Sequence, residues 1–460
     1  MNVIAIFDIG KTNKKIILFD ENYQVVSEQT KQFDEINDDN GELCDDIESI
    51  TLWITDTVAF LQLVENITIR AFNVSAYGAS MVHLDKNLKV LTPLYNYLNP
   101  YPTELQNKFY DTYGGDAKIS RETASPALGN LNSGLQLYRI KHERPQLFKS
   151  IKYSLHLPQY ISFVISSCVC SDITSIGCHT GLWDFQKNNY HHWVIKEGLN
   201  EKFPEILKSN EVFSVTPAEG KMKVAVGGGL HDSSAALIPY IAAFNDPFIL
   251  ISTGTWCISM NPFNDSPLTD DELRKDCLCY LSFTGNPVKA SRLFAGNEHE
   301  IQTKRISTHF RKPKEYYKKV DFDPRFVTEL TPAVKEPAQA FMNGLQHSVF
   351  ETRALSNFDS FEKAYHQLMI DIMGMQRAST TIVLSPDVKR IFVDGGFSKN
   401  PVFMNLLALS FPTLEVYGAT VAQSTSMGAA LAIHQHWNNL RIAKEIIQLK
   451  RYNPALPRCD

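Results

Sequence analysis

The sequence predicts an α/β protein built from two structurally related halves that face a common cleft. The chain opens with an apolar strand, a polar turn that contains Gly10 and Thr12, and a second strand. The same order returns at residues 248–260, around Gly254 and Thr255. Short apolar runs bounded by glycine and polar residues are typical of buried strands. Two copies of one pattern, about half a chain apart, indicate two halves of one architecture.

The N-terminal part alternates strands with a helix. Strands are predicted at 3–7, 15–19, 23–26 and 67–77, because each apolar run ends at a polar or glycine-containing turn. Between them, residues 47–64 carry apolar side chains at helical spacing.

The middle of the chain is predicted to be helical up to a glycine turn. Apolar spacing predicts helices at 133–141 and 153–169. A strand at 224–226 then leads through the glycines 227–229 into a helix that begins near Asp232. An aspartate at a helix start is an ordinary N-cap, so this position has both a structural and a functional interpretation.

In the last third of the chain, the sequence pattern predicts helices at 337–356, 359–380 and 419–434. A strand at 388–394 followed by a glycine turn leads to a further helix near Pro401.

A linker at residues 245–247 divides the chain into three predicted parts. These are an N-terminal domain at 1–240, a C-terminal domain at 245–435 and a C-terminal extension at 436–460.

Composition excludes several classes of protein. The 460 residues include 45 Lys and Arg against 50 Asp and Glu, a net charge of -5, which argues against nucleic-acid and polybasic membrane binders. No apolar stretch is long enough to span a membrane, and the N-terminus lacks a basic region before its apolar run. The eight cysteines show no C-x-x-C spacing, so we expect reduced thiols and a cytoplasmic protein.

Histidines at His179 and at His191–His192 suggest a metal site. We disfavour this interpretation because the adjacent residues His191 and His192 do not share one helix face.

The first turn has the chemistry of a phosphate and magnesium site. A glycine turn at Gly10 lets backbone N–H groups approach a phosphate, and Thr12 adds a hydroxyl. Asp8, at the strand end, could hold Mg²⁺ through water, since Mg²⁺ prefers carboxylates. An ordinary hairpin with a polar turn is the alternative. The second turn, at 252–255, repeats these groups, and no G-x-x-x-x-G-K-[ST] sequence is present, which excludes a P-loop.

Five short motifs together resemble the FGGY carbohydrate kinase family, which has the actin-like, or ribonuclease H-like, two-domain fold. In order along the chain they are D-x-G-x-T at 8–12, G-x-H-D at 229–232, S-T-G-T at 252–255, G-G-x-S-x-N at 395–400 and S-x-G-A-A at 426–430. The resemblance covers residues 3 to about 435. The segments DIGKTNKK, GGLHDSS and 291–297 look most similar to the rhamnulokinase and fuculokinase branch.

The resemblance implies a catalytic and a sugar-binding set in the N-terminal domain. Asp232 would be the general base that accepts the proton of the attacked hydroxyl. Tyr77, Gly78 and His231 would bind the sugar, although a core tyrosine and a structural histidine are the alternatives. Near Tyr97, many family members carry an Asp/Arg pair whose arginine this chain lacks.

The resemblance also implies ATP and Mg²⁺ as cofactors. Asp8 would be the metal ligand, and the ATP site would lie mainly in the C-terminal domain. The implied ATP-binding residues are Gly10, Thr12, Asn13, Lys14, Gly254, Thr255, Gly395, Gly396, Ser398 and Asn400. A strand-edge lysine is usually only solvated, which is the alternative for Lys14.

The implied activity is an ATP-dependent phosphorylation of a ketose such as L-rhamnulose or L-fuculose, at the C1 hydroxyl. A xylulose- or ribulose-type kinase and a non-catalytic actin-like sensor of sugar or nucleotide are the alternatives. The expected partner is a small-molecule sugar, with no nucleic acid and no membrane, and the resemblance allows a homodimer.

Overall fold

The computed structural model describes residues 1–216, 223–330, 348–420, 423–443 and 445–453. The chain divides into two compact units. Unit 1 comprises Met1–Ala243, Cys279–Pro287 and Ser424–Ile446. Unit 2 comprises Phe244–Leu278, Val288–Gln423 and Ile447–Asp460.

Strands and short ribbons are distributed along the whole described chain. The strands are β1 (Asn2–Ile9), β2 (Lys14–Asp20), β3 (Val25–Lys31), β4 (Glu35–Asn37), β5 (Leu43–Asp45), β6 (Thr68–Ala76), β7 (Met81–Leu84), β8 (Tyr153–His156), β9 (Ser171–Asp172), β10 (Trp183–Asp184), β11 (Asn189–Tyr190), β12 (Ile206–Leu207), β13 (Val212–Val215), β14 (Val224–Gly227), β15 (Leu230–His231), β16 (Phe248–Thr253), β17 (Cys257–Asn261), β18 (Cys277–Leu281), β19 (Pro287–Leu293), β20 (Arg390–Gly395), β21 (Glu415–Ala419) and β22 (Leu449–Tyr452).

Helices connect and cover these strands. They are α1 (Ile47–Leu61), α2 (Thr103–Tyr113), α3 (Asp116–Glu122), α4 (Ser133–Glu143), α5 (Pro145–Ser150), α6 (Leu157–Ser166), α7 (Ile173–Ile176), α8 (His192–Lys196), α9 (Asp232–Ala243), α10 (Asp270–Arg274), α11 (Ala295–His309), α12 (Pro324–Glu329), α13 (Phe361–Val383), α14 (Pro401–Ser410) and α15 (Ser424–Ala432).

The sheet of unit 1 has the strand order β13-β14-β6-β1-β2-β3, and β15 also pairs with β6. The strands β1, β2 and β3 form an antiparallel meander, as the sequence predicts. Strand β6 runs parallel to β1 and to β14, and β13 closes the edge in the antiparallel direction. Parallel strands need crossover connections, which helices such as α1 provide.

The sheet of unit 2 repeats this pattern in the order β19-β17-β16-β20-β21-β22. Strands β16, β17 and β19 are antiparallel neighbours, whereas β20 runs parallel to β16 and to β21. Strand β22 closes the edge in the antiparallel direction. The prediction of two halves with one strand pattern is therefore confirmed.

Helix α1 shows how the local sequence produces an element of this fold. The Asp46 side chain accepts a hydrogen bond from the Ser49 backbone N–H at 3.0 Å and caps the helix. Ile50 and Ile54 lie one turn apart on the same face and are completely buried. The helix therefore packs its apolar face on the sheet of unit 1.

Three sequence predictions differ from the structure at their boundaries. The helix expected at 153–169 begins only at Leu157, because Tyr153–His156 pair with β7 as a strand. The helix expected at 419–434 spans Ser424–Ala432, and residues 421–422 lie outside the described residues. Most of the helix expected at 337–356 also lies outside the described residues, as do parts of the extension at 436–460.

In the part of the chain that the structure describes, no helix combines the length and apolar character needed to cross a bilayer.

Candidate active site

Asp232 lies at the junction between strand β15 and helix α9, and only glycine fits the backbone before it. A Cβ atom at Gly227 would come within 2.4 Å of the Asn73 side-chain oxygen. Gly229 has φ +85°, and a Cβ there would lie 2.6 Å from the carbonyl oxygen of Pro158. The glycine turn thus packs closely against β6 and α6. Asp232 follows this turn, and 38% of the Asp232 side chain is exposed.

His231 is buried beside Asp232. Its backbone N–H donates to the Thr174 hydroxyl at 2.9 Å, and its Nε2 lies 3.3 Å from a carboxylate oxygen of Asp232. Burial lowers the pKa of His231, so the imidazole is favoured in its neutral form. A Cβ at Gly78 would come within 2.9 Å of this ring. The structure therefore brings together three of the predicted residues, Gly78, His231 and Asp232.

Tyr77 and Lys14 are held in a buried charge network around Asp45. The Tyr77 hydroxyl donates to Asp45 at 2.8 Å, and the Lys14 ammonium donates to the other Asp45 oxygen at 2.9 Å. Lys11 completes the network with a contact of 2.6 Å to Asp45. The polar groups of Tyr77 and Lys14 are thus directed to Asp45 as internal partners, and their predicted roles toward sugar and ATP stay predictions.

Asp8 lies at the end of β1, at the entrance to the first predicted phosphate turn. One carboxylate oxygen accepts a hydrogen bond from the Ser426 hydroxyl at 2.7 Å. Burial raises the pKa of Asp8 to about 6, and the charge of Asp232 contributes to that rise. The two carboxylates therefore lie close enough within unit 1 to interact electrostatically.

The turn after Asp8 closes the hairpin between β1 and β2. The Gly10 N–H donates to the Asn13 carbonyl at 2.9 Å. Thr12 and Asn13 are exposed, and Gln32 donates to the Asn13 side-chain oxygen at 2.8 Å. The predicted first motif is thus a tight polar turn that presents Thr12 to solvent.

The third and fourth predicted motifs, at 252–255 and 395–400, meet in unit 2. Because β16 and β20 are parallel neighbours with Thr253 opposite Gly395, the turns that follow them start side by side. The Phe397 N–H donates to the Thr253 hydroxyl at 3.0 Å and ties the two turns together. Gly395 has φ +86°, and a Cβ there would lie 1.8 Å from the Thr253 carbonyl oxygen. Gly395 is therefore required by the close approach of the two backbones.

A cavity of about 300 Å³ opens beside the Gly254–Thr255 turn. Helix α11 starts against this turn, where the Asn297 N–H donates to the Thr255 carbonyl at 3.1 Å. A Cβ at Gly296 would lie only 1.8 Å from the Gly254 carbonyl oxygen. Cavity-lining side chains are mostly polar and include Thr303, Lys314 and Tyr317.

Ser398 and Asn400 stabilise the loop after β20 through internal hydrogen bonds. The Ser398 hydroxyl contacts the carbonyls of Gly395 and Ala419 at 2.9 and 2.8 Å. Asn400 caps helix α14 and donates to the Tyr365 hydroxyl at 2.6 Å, and that hydroxyl lies 2.9 Å from His299, which lines the cavity. These two predicted residues are thus linked to the cavity through their neighbours, and Gly396 lies in the same loop.

Sequence reasoning missed several residues that shape these sites. Asp45, Asn73 and Gly296 were not singled out for a role, although each is essential to a local contact. A polar residue within an apolar strand was the available signal for Asn73, which donates to the Ala429 carbonyl at 2.8 Å. Asp45 is the last residue of the three-residue strand β5 and gave no such signal.

The missing arginine near Tyr97 has a counterpart elsewhere in the chain. Arg144 forms an ion pair with Asp39 and lies 3.1 Å from the Tyr95 hydroxyl. Arg144 and Tyr95 border a cavity of about 280 Å³ in unit 1. An Asp/Arg pair is therefore present beside this segment, with both partners supplied by distant positions.

Two sheets with this shared strand pattern, each ending in polar glycine turns, define the actin-like, or ribonuclease H-like, class of two-domain proteins. Residues 3–239 match the N-terminal domain of the FGGY family of carbohydrate kinases, and residues 245–441 match the C-terminal domain of carbohydrate kinase FGGY. The chain therefore belongs to the FGGY family of carbohydrate kinases. Members of this family are phosphotransferases that use ATP and Mg²⁺ and take a sugar hydroxyl as the acceptor.

Individual relatives are distant. A rhamnulokinase from Halalkalibacterium halodurans is 22% identical over 269 residues, which is 56% of this chain and 56% of that protein. The chain thus matches little more than half the length of this curated relative. A carbohydrate kinase from Novosphingobium aromaticivorans has a TM-score of 0.77 at 21% identity, covering 98% of this chain and 94% of the other. A ligand-bound xylulose kinase from Lactobacillus acidophilus has a TM-score of 0.78 at 16% identity, with coverages of 99% and 94%.

The residues present fit ATP and Mg²⁺. The Gly254–Gly296 contact leaves a backbone surface without side chains at the cavity in unit 2, as a phosphate requires for close approach. Asp8 offers a carboxylate, the hard oxygen ligand that Mg²⁺ prefers.

Proposed function

We propose that this protein is an ATP- and Mg²⁺-dependent kinase that phosphorylates the C1 hydroxyl of a ketose such as L-rhamnulose or L-fuculose. One observation carries the proposal. The exposed carboxylate of Asp232 stands at the β15–α9 junction, close enough to raise the pKa of Asp8 beside the first glycine turn. A general base and a metal-binding carboxylate on the same unit are what phosphoryl transfer to an alcohol requires. Similarity to a rhamnulokinase supports this choice of sugar.

In the proposed reaction, Asp232 accepts the proton of the sugar hydroxyl as the oxygen attacks the γ-phosphorus. A new P–O bond forms to the sugar, the bond to the β,γ-bridging oxygen breaks, and ADP leaves. His231 orients Asp232 from 3.3 Å away, and its neutral imidazole adds no competing charge. ATP supplies the phosphoryl group, and Mg²⁺ neutralises its developing charge. The proton that Asp232 holds returns to solvent after the product leaves.

The roles of the predicted residues divide between the two units. We assign sugar binding to Gly78 and His231, with Tyr77 as a positioning residue through Asp45. In the first turn, Gly10, Thr12 and Asn13 are proposed phosphate contacts. Lys14 stabilises this turn, because its ammonium donates to the Lys11 carbonyl. For unit 2, we assign ATP to the cavity beside the Gly254–Thr255 turn, with Gly395, Gly396, Ser398 and Asn400 shaping the adjoining loop. The proposed sugar domain comprises residues 1–240 and the proposed ATP domain residues 245–435, except that Ser424–Ile446 belong to compact unit 1.

A panel of sugars tests the proposal directly. ADP release is measured with Mg-ATP and L-rhamnulose, L-fuculose, D-xylulose and L-ribulose, and the product of the best substrate is located by NMR. Turnover of a 6-deoxyketose with phosphate on C1 supports the proposal. Preference for xylulose or ribulose would favour the second kinase type, and ATP binding without turnover of any sugar would favour a non-catalytic sensor.

Activity is expected to fall below about pH 6, because Asp8 is then protonated. A carboxylate whose pKa burial raises to about 6 is ionised, and able to hold Mg²⁺, only above that pH. The KM for Mg²⁺ should therefore rise as the pH falls from 7 to 5.

The Ser426→Ala variant sharpens this test. The Ser426 hydrogen bond lowers the pKa of Asp8, so its removal should shift the acid limb of the Mg²⁺ profile to higher pH. An unchanged limb in this variant would argue that another group controls it.

The Gly296→Ala variant is expected to weaken ATP binding by about tenfold or more, because the added Cβ would overlap the Gly254 carbonyl. Calorimetric titration with ATP measures the loss. Gly374→Ala is the matched control, since a Cβ there meets no atom within 4 Å and lies within helix α13. Equal ATP affinity in both variants would show that the Gly254–Thr255 turn does not take part in nucleotide binding.

A cytoplasmic location completes the proposal. The seven cysteines in the described residues form no disulfide, which suits a reducing compartment.

A further inference from the structure

Cys178, His179 and His231 form a buried cluster in unit 1, of which the proposed phosphoryl transfer uses only His231. Each residue offers one metal-ligand atom, and these three atoms lie within 4.8 Å of one another. All three residues are buried. The pair of adjacent residues 178–179 meets His231 from a distant part of the chain, so the grouping arises from the fold.

Two further observations mark the cluster as a place for a ligand. Among the described atoms, Nδ1 of His231 is buried and has no hydrogen-bond partner, and the residue is only 2% exposed. Both rings pack closely against Gly78, because a Cβ there would lie 2.9 Å from His231 and 3.2 Å from His179, so glycine at this position allows the cluster to assemble. The Tyr280 ring covers the cluster, with its centroid 5.3 Å from that of His231.

We propose that this cluster binds one divalent transition-metal ion, Zn²⁺ being the best match, and that the bound ion inhibits the kinase. A thiolate with two imidazoles is a ligand set that Zn²⁺ favours and Mg²⁺ does not. The inhibitory part rests on the proposed function, because Asp232 lies 3.3 Å from the His231 ring. His231 is the residue that we assign to sugar binding and to orienting Asp232, so an ion bound to its ring would remove it from both roles.

Binding of the ion exchanges a proton for a metal. In the empty cluster, the Cys178 thiol donates to the Ser175 carbonyl at 3.1 Å, and burial raises its pKa to about 12. On binding, the S–H bond breaks, the proton passes to solvent, and a sulfur–metal bond forms with no change of oxidation state. One proton is therefore released for each ion bound.

Direct metal binding tests the site without reference to activity. The metal-stripped full chain is titrated with Zn²⁺ against a chromophoric chelator, and with Co²⁺ to detect the thiolate charge-transfer band. We expect one ion per chain, and Cys178→Ser should bind it about tenfold or more weakly and lose the band. Cys170→Ser is the matched control, since Cys170 is also buried in unit 1 but lies outside the cluster. Equal Zn²⁺ affinity in Cys178→Ser and wild type, or no binding to wild type, would overturn the site.

His179→Gln provides a second test if the Cys178→Ser variant does not fold. It should also bind Zn²⁺ about tenfold or more weakly, while keeping a thiolate band with Co²⁺ of altered position.

Activity measurements separate this inference from the proposed function. Zn²⁺ should inhibit the wild-type enzyme competitively with the sugar, and Cys178→Ser should resist that inhibition. Cys178-dependent Zn²⁺ binding in a protein that phosphorylates no sugar would support the metal site and reject the proposed function. An active kinase without a Zn²⁺ site would support the function and reject the inference.

Discussion

The Asp232→Asn variant is expected to phosphorylate sugar about 10²–10⁴-fold more slowly than wild type, with ATP affinity unchanged. Asparagine keeps the shape of the side chain but cannot accept the proton of the attacked hydroxyl. The cavity that we propose for ATP lies in unit 2, on residues that this substitution does not alter. The loss should therefore fall on kcat.

A coupled assay for ADP release, run beside a calorimetric ATP titration, measures the two quantities separately. Asp56→Asn is a matched control, because Asp56 is exposed on helix α1 and the same chemical change there should leave kcat unchanged. An Asp232→Asn enzyme with near-normal kcat would show that another group accepts the proton.

The Asp45→Asn variant is expected to lose about 3–5 kcal/mol of the stability of unit 1. Lys14 is only 1% exposed, and its ammonium contacts Asp45 at 2.9 Å. Removal of the negative charge would leave this ammonium buried without its counterion, and the single amide oxygen of asparagine would replace the two oxygens that now accept from Lys14 and Tyr77. A buried charge that loses its partner is far more costly than a broken surface pair.

Urea unfolding followed by tryptophan fluorescence measures this loss, because four of the five tryptophans belong to unit 1. A second substitution, Lys14→Met, should restore part of the stability in the Asp45→Asn background. If the single and double variants were equally unstable, the buried ammonium would not be the cause.

The pH dependence of the same network follows from the pKa of Asp45. Burial alone would raise that pKa, but the hydrogen bonds and charges of Lys11 and Lys14 outweigh it and hold the pKa below its usual value. A carboxylate with a depressed pKa stabilises the fold above its unfolded pKa of about 4. This stabilisation is lost as the pH falls through the lower pKa of the folded state.

Local sequence was sufficient for the turns that define the site. Apolar runs that end at polar glycine turns predict two strand–turn–strand units, one around Gly10 and one around Gly254. The structure has both units at these positions. Asp232 was identified as the first residue of a helix after three glycines, and helix α9 begins there. These features depend on neighbours in the chain, so a single sequence is enough to predict them.

Contacts between residues that lie far apart in the chain could not be predicted from the sequence. Strand pairing of Tyr153–His156 depends on β7, about 70 residues earlier, and overrides the apolar helical spacing of the segment. Asp45 forms ion pairs with Lys11 and Lys14 only because the short strand β5 ends beside the hairpin of β1 and β2. Tyr77 was predicted to face the sugar, because nothing in its own segment reveals that its hydroxyl contacts Asp45.

The last structured helix of unit 1, α15, has a consequence for how the protein is made. Its Gly428 lies against the Ala235 carbonyl of helix α9, and its Ser426 supplies the hydrogen bond to Asp8. During synthesis, the first 243 residues leave the ribosome long before this helix exists. Until residues 424–432 have been synthesised, the apolar surface of the nascent sheet that α15 covers remains exposed. The carboxylate of Asp8 therefore gains its partner Ser426 only after 418 further residues have been translated.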